Sequence, residues 1–384
     1  MKTLCIIGLG YIGLPTASMF ATHGYQVLGV DKNEKVIETL QHGKIHIFEP
    51  GLQNVVTQGL ESGMLKVSSQ VEPADAFIIA VPTPFLNEEM TTDSPYKKAD
   101  MRFVVSAAEA IVPHLRKGNL VVLESTSPPL TTANQVRPIL EKSGLKAGTD
   151  FFLAYSPERV LPGQILQELV DNSRVIGGIN PESAEVGRDL YSAFVLGEIV
   201  MTDATTAEMV KLMENTYRDV NIAIANEFSR LADRFEINVW EAIEIANRHP
   251  RVNILSPGPG VGGHCISVDP WFLVEAAPDI TPFIYNARMV NDSQPDFVVK
   301  LVERFLGDLQ GKTIAILGLA YKPNVDDFRE SPAIEVAHKL MHAGCNVRAH
   351  DPYATPFHKI GEYLVSSLEE AVKDADLLIL LVDH

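Results

Sequence analysis

The sequence predicts an α/β protein with two Rossmann-like domains joined by a long central helix. Near the N-terminus, an apolar strand pattern runs directly into a glycine-rich loop and a helical pattern. The same plan recurs late in the chain, where KTIAILGLAYKP at 312–323 repeats KTLCIIGLGYIG at 2–13. Between them, residues 202–235 form a helical pattern with no glycine or proline. The predicted regions are an N-terminal domain at 1–200, a central helical region at 201–300 and a C-terminal domain at 301–384.

The glycine-rich loop has the pattern of a dinucleotide-binding turn. It follows the strand pattern at 4–7 and opens a helix with three glycines in the spacing G-x-G-x-x-G. We predict that the first glycine permits a tight turn, the second lets the backbone approach a pyrophosphate and the third allows close helix packing. The alternative is an ordinary glycine-rich βα turn, which the order of the surrounding elements disfavours. The predicted cofactor contacts in this loop are Gly8, Gly10, Tyr11, Ile12 and Gly13.

An acidic residue, Asp31, ends the second strand pattern at 26–30. A carboxylate at this position accepts a hydrogen bond from a ribose hydroxyl and repels a 2′-phosphate. The sequence therefore predicts NAD rather than NADP as the cofactor.

Polar turns end the next strand patterns of the first domain, which span Ala74–Pro84, Gly118–Pro128 and Phe151–Gly163. Open parallel sheets bind their ligands at the carboxyl ends of the strands. We therefore expect Thr83, Thr126 and Glu158 to meet the cofactor or the substrate. For Thr126 and Glu158, the alternative is a role in capping or turn formation.

The composition describes a globular protein with several domains. The chain has 384 residues, of which 46% are hydrophobic and 21% charged, and a formal net charge of −17. This acidity disfavours a nucleic-acid backbone or an anionic membrane as partner. No apolar run reaches membrane-spanning length, and the N-terminus lacks a signal-peptide pattern. Three widely spaced cysteines predict a reducing, cytoplasmic location, and their surroundings predict no metal site.

A second glycine-rich loop, PGPGVGGHCISVDPW at 257–271, contains a candidate nucleophile, Cys265, four positions before Asp269. Glycines leave backbone N–H groups free to face a ligand, so the loop can hold a thiolate beside a substrate. The alternative is an inert cysteine in a plain turn. The other cysteines, Cys5 and Cys345, lie in strand-like surroundings and are expected in the core. We interpret His264 as a loop residue, because adjacent side chains generally point apart.

The long helical pattern and the repeat add further candidates. Lys211 and Asn215 are spaced i, i+4, so they share one face of the helix, which we expect to bridge the two domains and to self-associate. In the repeat, Ala320 replaces the second glycine of the first loop, which disfavours the same binding of a pyrophosphate. Lys322 and Arg329 follow and suggest a site for the phosphates of another ligand.

Eight motifs along the whole chain carry a family resemblance. They read GLGYIGLP, VPTP, ESTSP, SPERVLPG, TAEMVKLMENTYRDVNIAIANE, NRHPRVNI, PGPGVGGHCISVDPWF and LGLAYKPNVDDFRESPA. Together they resemble the UDP-glucose/GDP-mannose dehydrogenase family, and SPERVLPG and NRHPRVNI point to its branch acting on UDP-N-acetyl-D-mannosamine. Relatives continue beyond the position of His384, so we expect the edge of the last domain to be truncated.

The resemblance implies an NAD-dependent, four-electron oxidation of a UDP-sugar at C6 to a carboxylate. A Cys265 thiolate would form a thiohemiacetal and then a thioester, which water hydrolyses. Lys211 would stabilise the oxyanion, and Asn215 would position it. Asp269 would orient a water or Lys211, while Glu158 with Thr126 would move protons.

Looser matches imply further contacts. Arg248 and Arg251 would reach the sugar nucleotide of a neighbouring subunit, which makes a homodimer functional; the alternative is that both are surface charges. The amides of Gly262 and Gly263 would meet the sugar, and Lys322 the sugar or its phosphates. Arg329 would meet the cofactor or the rim of the site. The remaining predicted substrate contacts are Glu158, Arg159, Val160, Lys211 and Asn215.

Other functions stay open at this point. UDP-N-acetylglucosamine or UDP-glucose is the main rival substrate, because a sugar stereocentre is read by contacts that no motif records. A two-electron hydroxyacid-type dehydrogenase would need no cysteine. A non-catalytic nucleotide-binding protein would bind a cofactor without oxidising a sugar.

Overall fold

The structure is a computed structural model that describes residues 2–86, 90, 95–263, 265–355, 358 and 360–384. His264 lies outside the described residues. The chain divides into two compact units, 1–212 and 213–384, each of which is treated by itself below.

One sheet of eight strands forms the centre of the first unit in its described residues. The strands are β1 (Thr3–Ile7), β2 (Gln26–Val30), β3 (Leu65–Ser68), β4 (Ala76–Ile79), β5 (Leu120–Leu123), β6 (Phe152–Tyr155), β7 (Arg174–Gly178) and β8 (Ile199–Asp203). Their order is β3-β2-β1-β4-β5-β6-β7-β8, and each neighbouring pair is parallel except β6 and β7. The first six strands have the order of a Rossmann dinucleotide-binding domain.

Helices connect most of these strands, and between parallel strands they do so in the βαβ manner. They are α1 (Gly13–Thr22), α2 (Glu34–Gln41), α3 (Leu52–Glu61), α4 (Arg102–Ile111), α5 (Arg137–Leu140), α6 (Ile165–Asp171) and α7 (Pro181–Tyr191). Because both faces of the sheet are covered, its central strands are almost continuously apolar. In β1, Leu4 and Ile6 join the core on one face while Cys5 and Ile7 join the core on the other. Truncating such a buried isoleucine to alanine costs about 2–5 kcal/mol.

The predicted central helix is confirmed as α8 (Ala204–Arg234), a helix of 31 residues that begins in the first unit and continues into the second. The other helices of the second unit are α9 (Val239–Ala246), α10 (Asp269–Ala276), α11 (Pro282–Asp292), α12 (Gln294–Leu306), α13 (Pro332–His342) and α14 (Leu368–Val372). Its strands, β9 (Thr313–Leu317), β10 (Asn346–His350) and β11 (Leu377–Leu380), form a parallel sheet in the order β10-β9-β11.

This second sheet reproduces the start of the first. In both sheets, the first strand of the motif, β1 or β9, leads to a glycine with positive φ, which is 96° at Gly8 and 80° at Gly318. In both, an aspartate after the second strand of the motif accepts a hydrogen bond from the amide that follows this glycine. The predicted fold class, α/β with two Rossmann-like sheets and a long helix, is therefore confirmed.

Cys5 and Cys345 are buried in the cores, as predicted. Burial raises the pKa of the Cys5 thiol to about 12, so this residue stays a protonated, unreactive thiol. Within the described ranges, no group of three or more His, Cys, Asp or Glu side chains is arranged to hold a metal ion. Among the helices that the structure describes, none combines the length and the hydropathy needed to cross a bilayer.

Candidate active site

The glycine loop after β1 has the geometry expected of a dinucleotide cradle. A Cβ on Gly8 would lie 2.4 Å from the carbonyl oxygen of Ala80, and a Cβ on Gly13 would lie 1.8 Å from that of Gly8. These two positions therefore tolerate no side chain. A Cβ on Gly10 would meet no atom within 4 Å, which leaves space beside the backbone for a ligand.

The N-terminus of α1 directly follows this loop and is suited to bind an anion. In the described chain, no side chain caps α1 after Ile12, and its first turn has no acidic residue. Such a terminus attracts phosphate through its backbone dipoles. Asp31 is half-buried and accepts hydrogen bonds from the amides of Leu9 (3.0 Å) and Asn33 (2.8 Å). Each carboxylate oxygen has a second lone pair for a ribose hydroxyl, so the residues present fit NAD.

Thr83 and Thr126 lie beyond the carboxyl ends of neighbouring parallel strands, β4 and β5. Thr83 is buried and Thr126 half-buried. Between them, the Ser125 hydroxyl donates to the carbonyl of Val81 at 2.7 Å and so ties the two turns together. The structure thus brings both threonines to the edge of the sheet where the sequence predicted a ligand.

Glu158, which follows β6, lies in a buried cluster that the sequence did not reveal. Its carboxylate forms an ion pair with Arg174 at the start of β7. Arg174 also donates to Glu124 at 3.2 Å and to the Ser156 hydroxyl at 3.0 Å. Tyr191 on α7 donates to Glu124 at 2.9 Å. Two carboxylates therefore share one guanidinium in the interior of the unit.

Burial raises the pKa of Glu124 to about 7, against the attraction of Arg174, and the charge of Glu158 acts in the same direction as burial. Burial also raises the pKa of Tyr191, helped by the carboxylate of Glu124. A carboxyl group with a pKa near neutrality can exchange protons at working pH. Its position after a strand, in the ESTSP motif, was the one sequence signal that pointed to Glu124.

The segment after Glu158 is fixed by side chains from elsewhere in the first unit. The Arg159 guanidinium donates to the carbonyl and the hydroxyl of Ser173, and Val160 packs against the core. Glu49, before α3, is buried and accepts the amides of Gly163 and Ile165, both at 2.8 Å. The substrate contacts predicted for Arg159 and Val160 remain predictions.

In the second unit, Cys265 occupies an exposed turn directly before α10. Its carbonyl accepts the amides of Val268 (3.1 Å) and Asp269 (2.9 Å), which closes the turn. The buried Asp269 carboxylate accepts a hydrogen bond from Asn215 on α8 at 2.6 Å. Lys211 precedes Asn215 by one turn of α8, and both are buried. The motif that contains Asn215 and the motif that contains Cys265 and Asp269 are thus in direct contact, through the hydrogen bond between Asn215 and Asp269.

The glycines before Cys265 pack against the segment after β9. A Cβ on Gly262 would lie 2.7 Å from the Glu330 carbonyl, and one on Gly263 would lie 2.9 Å from the ring of Tyr321. The Gly263 amide donates to the carbonyl of Arg329 at 3.1 Å. In this structure the Gly263 amide is therefore engaged within the fold. The sugar contacts predicted for Gly262 and Gly263 stay predictions.

The four basic candidates of the second unit are exposed: Arg248, Arg251, Lys322 and Arg329. Arg248 pairs with Glu244 on α9 at 3.1 Å, and Arg329 pairs with Asp327 at 2.6 Å. Asn247 holds the loop that carries Arg251 through two hydrogen bonds to the backbone of Ile254. The roles predicted for these four residues stay predictions.

Comparison with known families accounts for most of the chain. Three models of the UDP-glucose/GDP-mannose dehydrogenase family match in sequence: the NAD binding domain at residues 2–195, the central domain at 205–293 and the UDP binding domain at 315–384.

Full-length relatives agree with these matches. A protein of Methanococcus maripaludis named UDP-N-acetyl-D-mannosamine dehydrogenase is 51% identical over 100% of this chain and 86% of its own length. A protein of Ralstonia nicotianae named NDP-N-acetyl-D-galactosaminuronic acid dehydrogenase is 47% identical over 100% of this chain and 91% of its own. The solved structure of a UDP-N-acetyl-mannosamine dehydrogenase from S. aureus superimposes with a TM-score of 0.90 at 47% identity, covering 100% of this chain and 89% of that one.

The predicted cofactor and enzyme class are thereby confirmed: the chain carries an NAD-binding domain and is an NAD-dependent UDP-sugar dehydrogenase. The glycine loop and the strand order agree with the NAD-binding part of this assignment. The chain belongs to the UDP-glucose/GDP-mannose dehydrogenase family.

Proposed function

We propose that the protein oxidises UDP-N-acetyl-D-mannosamine at C6 to UDP-N-acetyl-D-mannosaminuronate. The names of relatives that are 51% and 47% identical over the whole chain support this substrate. The observation that carries the reaction type is the exposed Cys265 at the start of a closed turn. The turn is joined to the buried pair of Asn215 and Asp269 through the hydrogen bond from the Asp269 amide to the Cys265 carbonyl. The second oxidation needs a tetrahedral adduct of the aldehyde, which an exposed thiolate can form, and the other two cysteines are buried.

The chain's residues have distinct roles in this reaction. Glu158, with Thr126, accepts the proton of the C6 hydroxyl as the alcohol is oxidised to the aldehyde. The Cys265 thiolate attacks the aldehyde carbon and forms a C–S bond, and Lys211 stabilises the oxyanion of this thiohemiacetal. Oxidation of the thiohemiacetal gives a thioester. A water positioned by Asp269 then cleaves the C–S bond, which releases the acid and restores the thiol.

NAD supplies the oxidant, accepting one hydride in each of the two oxidations. The residues that would hold it are those of the Gly8–Gly13 loop with Asp31, together with Thr83, Thr126 and Arg329. The balance per sugar is one alcohol, one water and two NAD⁺ consumed, and one carboxylate, two NADH and three protons formed.

A second substrate class has support of its own. A relative that is 47% identical over the whole chain is named for an N-acetyl-galactosaminuronic acid product. Together with UDP-N-acetylglucosamine and UDP-glucose, the corresponding UDP-N-acetyl-D-galactosamine belongs in any test of specificity, because the stereocentres of the sugar distinguish these substrates.

We further propose that the protein works as a homodimer in the cytoplasm, with the Arg251 region, including Arg248, reaching the neighbouring subunit's site. An apolar stripe along α8 supports self-association. It includes the exposed side chains of Tyr217, Ile224, Phe228 and Leu231 at helical spacing, and the exposed Phe235 follows directly after the helix. Tyr217 is 71% and Phe235 66% exposed, which is unfavourable for large apolar side chains in water. Cysteines outside any disulfide support a reducing location.

We retain the division into an NAD-binding domain at 1–200, a central region at 201–300 and a UDP-sugar-binding domain at 301–384. The matched ranges at 2–195, 205–293 and 315–384 support these boundaries.

A panel of UDP-sugars assayed for NADH yield tests the proposed function. UDP-N-acetyl-D-mannosamine should give two NADH per sugar and the uronate as product, with the highest kcat/KM of the panel. A yield of one NADH with an aldehyde product would contradict the cysteine mechanism. A higher kcat/KM for another UDP-sugar would reassign the substrate and leave the mechanism intact.

A further inference from the structure

The buried cluster around Arg174 contains two acidic side chains and one basic side chain. Arg174, Glu124 and Glu158 are all largely withdrawn from water, and the two carboxylates share a single guanidinium. Burying charges is costly even when they are paired, and apolar side chains of similar volume often stabilise a core at least as well. A buried cluster with two carboxylates and one guanidinium, which includes the proposed proton acceptor Glu158, therefore calls for a functional explanation.

The hydrogen bonds make Arg174 the link between the carboxylates. One end of its guanidinium donates to Glu124, at 3.2 Å, and the other donates to Glu158. Arg174 also stacks on the ring of Tyr191, 4.1 Å from its centroid, so its position is fixed. Glu124 and Glu158 compete for the positive charge of Arg174. A change in the charge of Glu124 therefore alters how strongly Arg174 interacts with Glu158.

Glu124 is only half satisfied. Its Oε1 accepts both Tyr191 and Arg174, whereas Oε2 is buried and has no hydrogen-bond partner among the described residues. An unpaired, buried carboxylate oxygen is expensive when it is charged and less so when it carries a proton. The geometry thus allows Glu124 to exist in two protonation states within the same packing.

We propose that Glu124 and Arg174 form a positioning pair that sets how strongly Glu158 accepts a proton. The inference rests on the proposed function, in which Glu158 takes the proton of the sugar's hydroxyl. Glu124 does not touch the substrate in this proposal; it acts on Glu158 through Arg174.

The direction of the effect follows from the charges. When Glu124 is protonated, Arg174 is attracted to Glu158 alone, and its positive charge makes Glu158 a weaker proton acceptor. When Glu124 loses its proton, it competes for Arg174 and repels the charge of Glu158, so Glu158 becomes a stronger acceptor. Within the described residues, the titratable groups facing Glu124 are Arg174 from β7, Glu158 from the loop after β6 and Tyr191 from α7. Turnover should therefore rise as pH increases through the ionisation of Glu124.

The test compares wild type, Glu124→Gln and Tyr191→Phe by kcat and KM for UDP-N-acetyl-D-mannosamine with NAD, from about pH 6 to about pH 9. Glu124→Gln keeps the shape and removes the ionisation. We expect it to lose the rise of kcat near neutral pH and to lower the plateau at high pH by at least about tenfold, with KM changed less than about twofold. The yield should stay at two NADH per sugar, because Cys265 is untouched.

Tyr191→Phe provides the second arm and keeps both charges. It removes a hydrogen bond that lowers the pKa of Glu124, so the midpoint of the kcat profile should move to higher pH. Wild-type profiles in both folded variants would overturn the proposal. If Glu124→Gln does not fold, the direction of the Tyr191→Phe shift decides alone, and an unchanged or lowered midpoint overturns it. Absence of NADH with every UDP-sugar in wild type would instead refute the proposed function.

Discussion

Glu49 provides a sharp test of how the loop carrying Glu158 is held. Its buried carboxylate accepts two backbone amides, of Gly163 and Ile165, both at 2.8 Å. A hydrogen bond to a charged group contributes about 1.5–3 kcal/mol net, and a buried amide left without an acceptor adds to the loss. Glu49→Gln keeps one acceptor oxygen but turns an NH₂ group toward the other amide. We expect it to lower the free energy of unfolding by about 1.5–3 kcal/mol.

Thermal unfolding of the purified chain measures this effect. For a unit of roughly 200 residues, each kcal/mol shifts Tm by about 2–4 °C, so Glu49→Gln should lower Tm by about 3–12 °C. Glu61→Gln is the matched control, because it removes an exposed carboxylate at the end of α3, in the same unit. KM for the UDP-sugar should also rise, since Arg159 and Val160 lie on the segment that Glu49 anchors. A Tm for Glu49→Gln within about 1 °C of that of Glu61→Gln would refute this reasoning.

Further predictions concern the nucleophile, the glycine loop and acid stability. Cys265→Ser should lower formation of the acid by about a thousandfold or more without changing Tm, and full turnover to the acid in a single-turnover assay would exclude the thioester route. Gly10→Ala should keep the wild-type Tm but bind NAD more weakly in a titration, because its Cβ enters the open space beside the loop. Gly13→Ala should lower Tm, because its Cβ would lie 1.8 Å from the Gly8 carbonyl oxygen. Equal Tm values for the two variants would contradict the packing argument. Burial raises the pKa of Asp351, but the hydrogen bonds from the amides of Leu319 and Ala320 have the larger effect, so the pKa of this carboxyl is lowered. The ionised carboxylate therefore stabilises the fold above about pH 4, and this contribution is lost as the pH falls through the lowered pKa. The difference in unfolding free energy between wild type and Asp351→Asn should accordingly shrink on acidification, and a difference that stays constant down to about pH 2 would oppose this account.

The parts of the fold that depend on local spacing were predictable from the sequence. Gly8 and Gly13 encode a turn and a helix contact within a few residues of one another, and the repeat at 312–323 transfers the same reasoning to the second sheet. The helix α8 was predictable because no breaker interrupts its pattern. The strand order also follows from the Rossmann plan, although the antiparallel pairing of β6 with β7 does not.

Long-range pairings were not predictable. Glu124, Arg174 and Tyr191 come from three elements that meet only in the folded sheet, and nothing in the sequence around Arg174 marks it as a buried ion. Gly263 illustrates a second limit of the sequence. Its glycine neighbours predicted an amide that faces a ligand, but in this structure the amide donates a hydrogen bond to the Arg329 carbonyl, and the ring of Tyr321 fills the space of a side chain. A glycine's freedom can serve packing as well as recognition, and spacing alone does not distinguish the two.

Asp351 and Asp31 occupy corresponding places in the two copies of the βαβ motif, but their surroundings have diverged. Asp351 is buried and accepts the amides of Leu319, Ala320 and Tyr353 as well as the ring of His384, whereas Asp31 is half-buried with one amide on each oxygen. The added contacts engage Asp351 within the fold, whereas Asp31 is the carboxylate for which we propose a contact with a ribose hydroxyl. The second copy therefore has its acidic residue committed to its own backbone, in the region that matches the UDP binding domain of the family rather than its NAD binding domain.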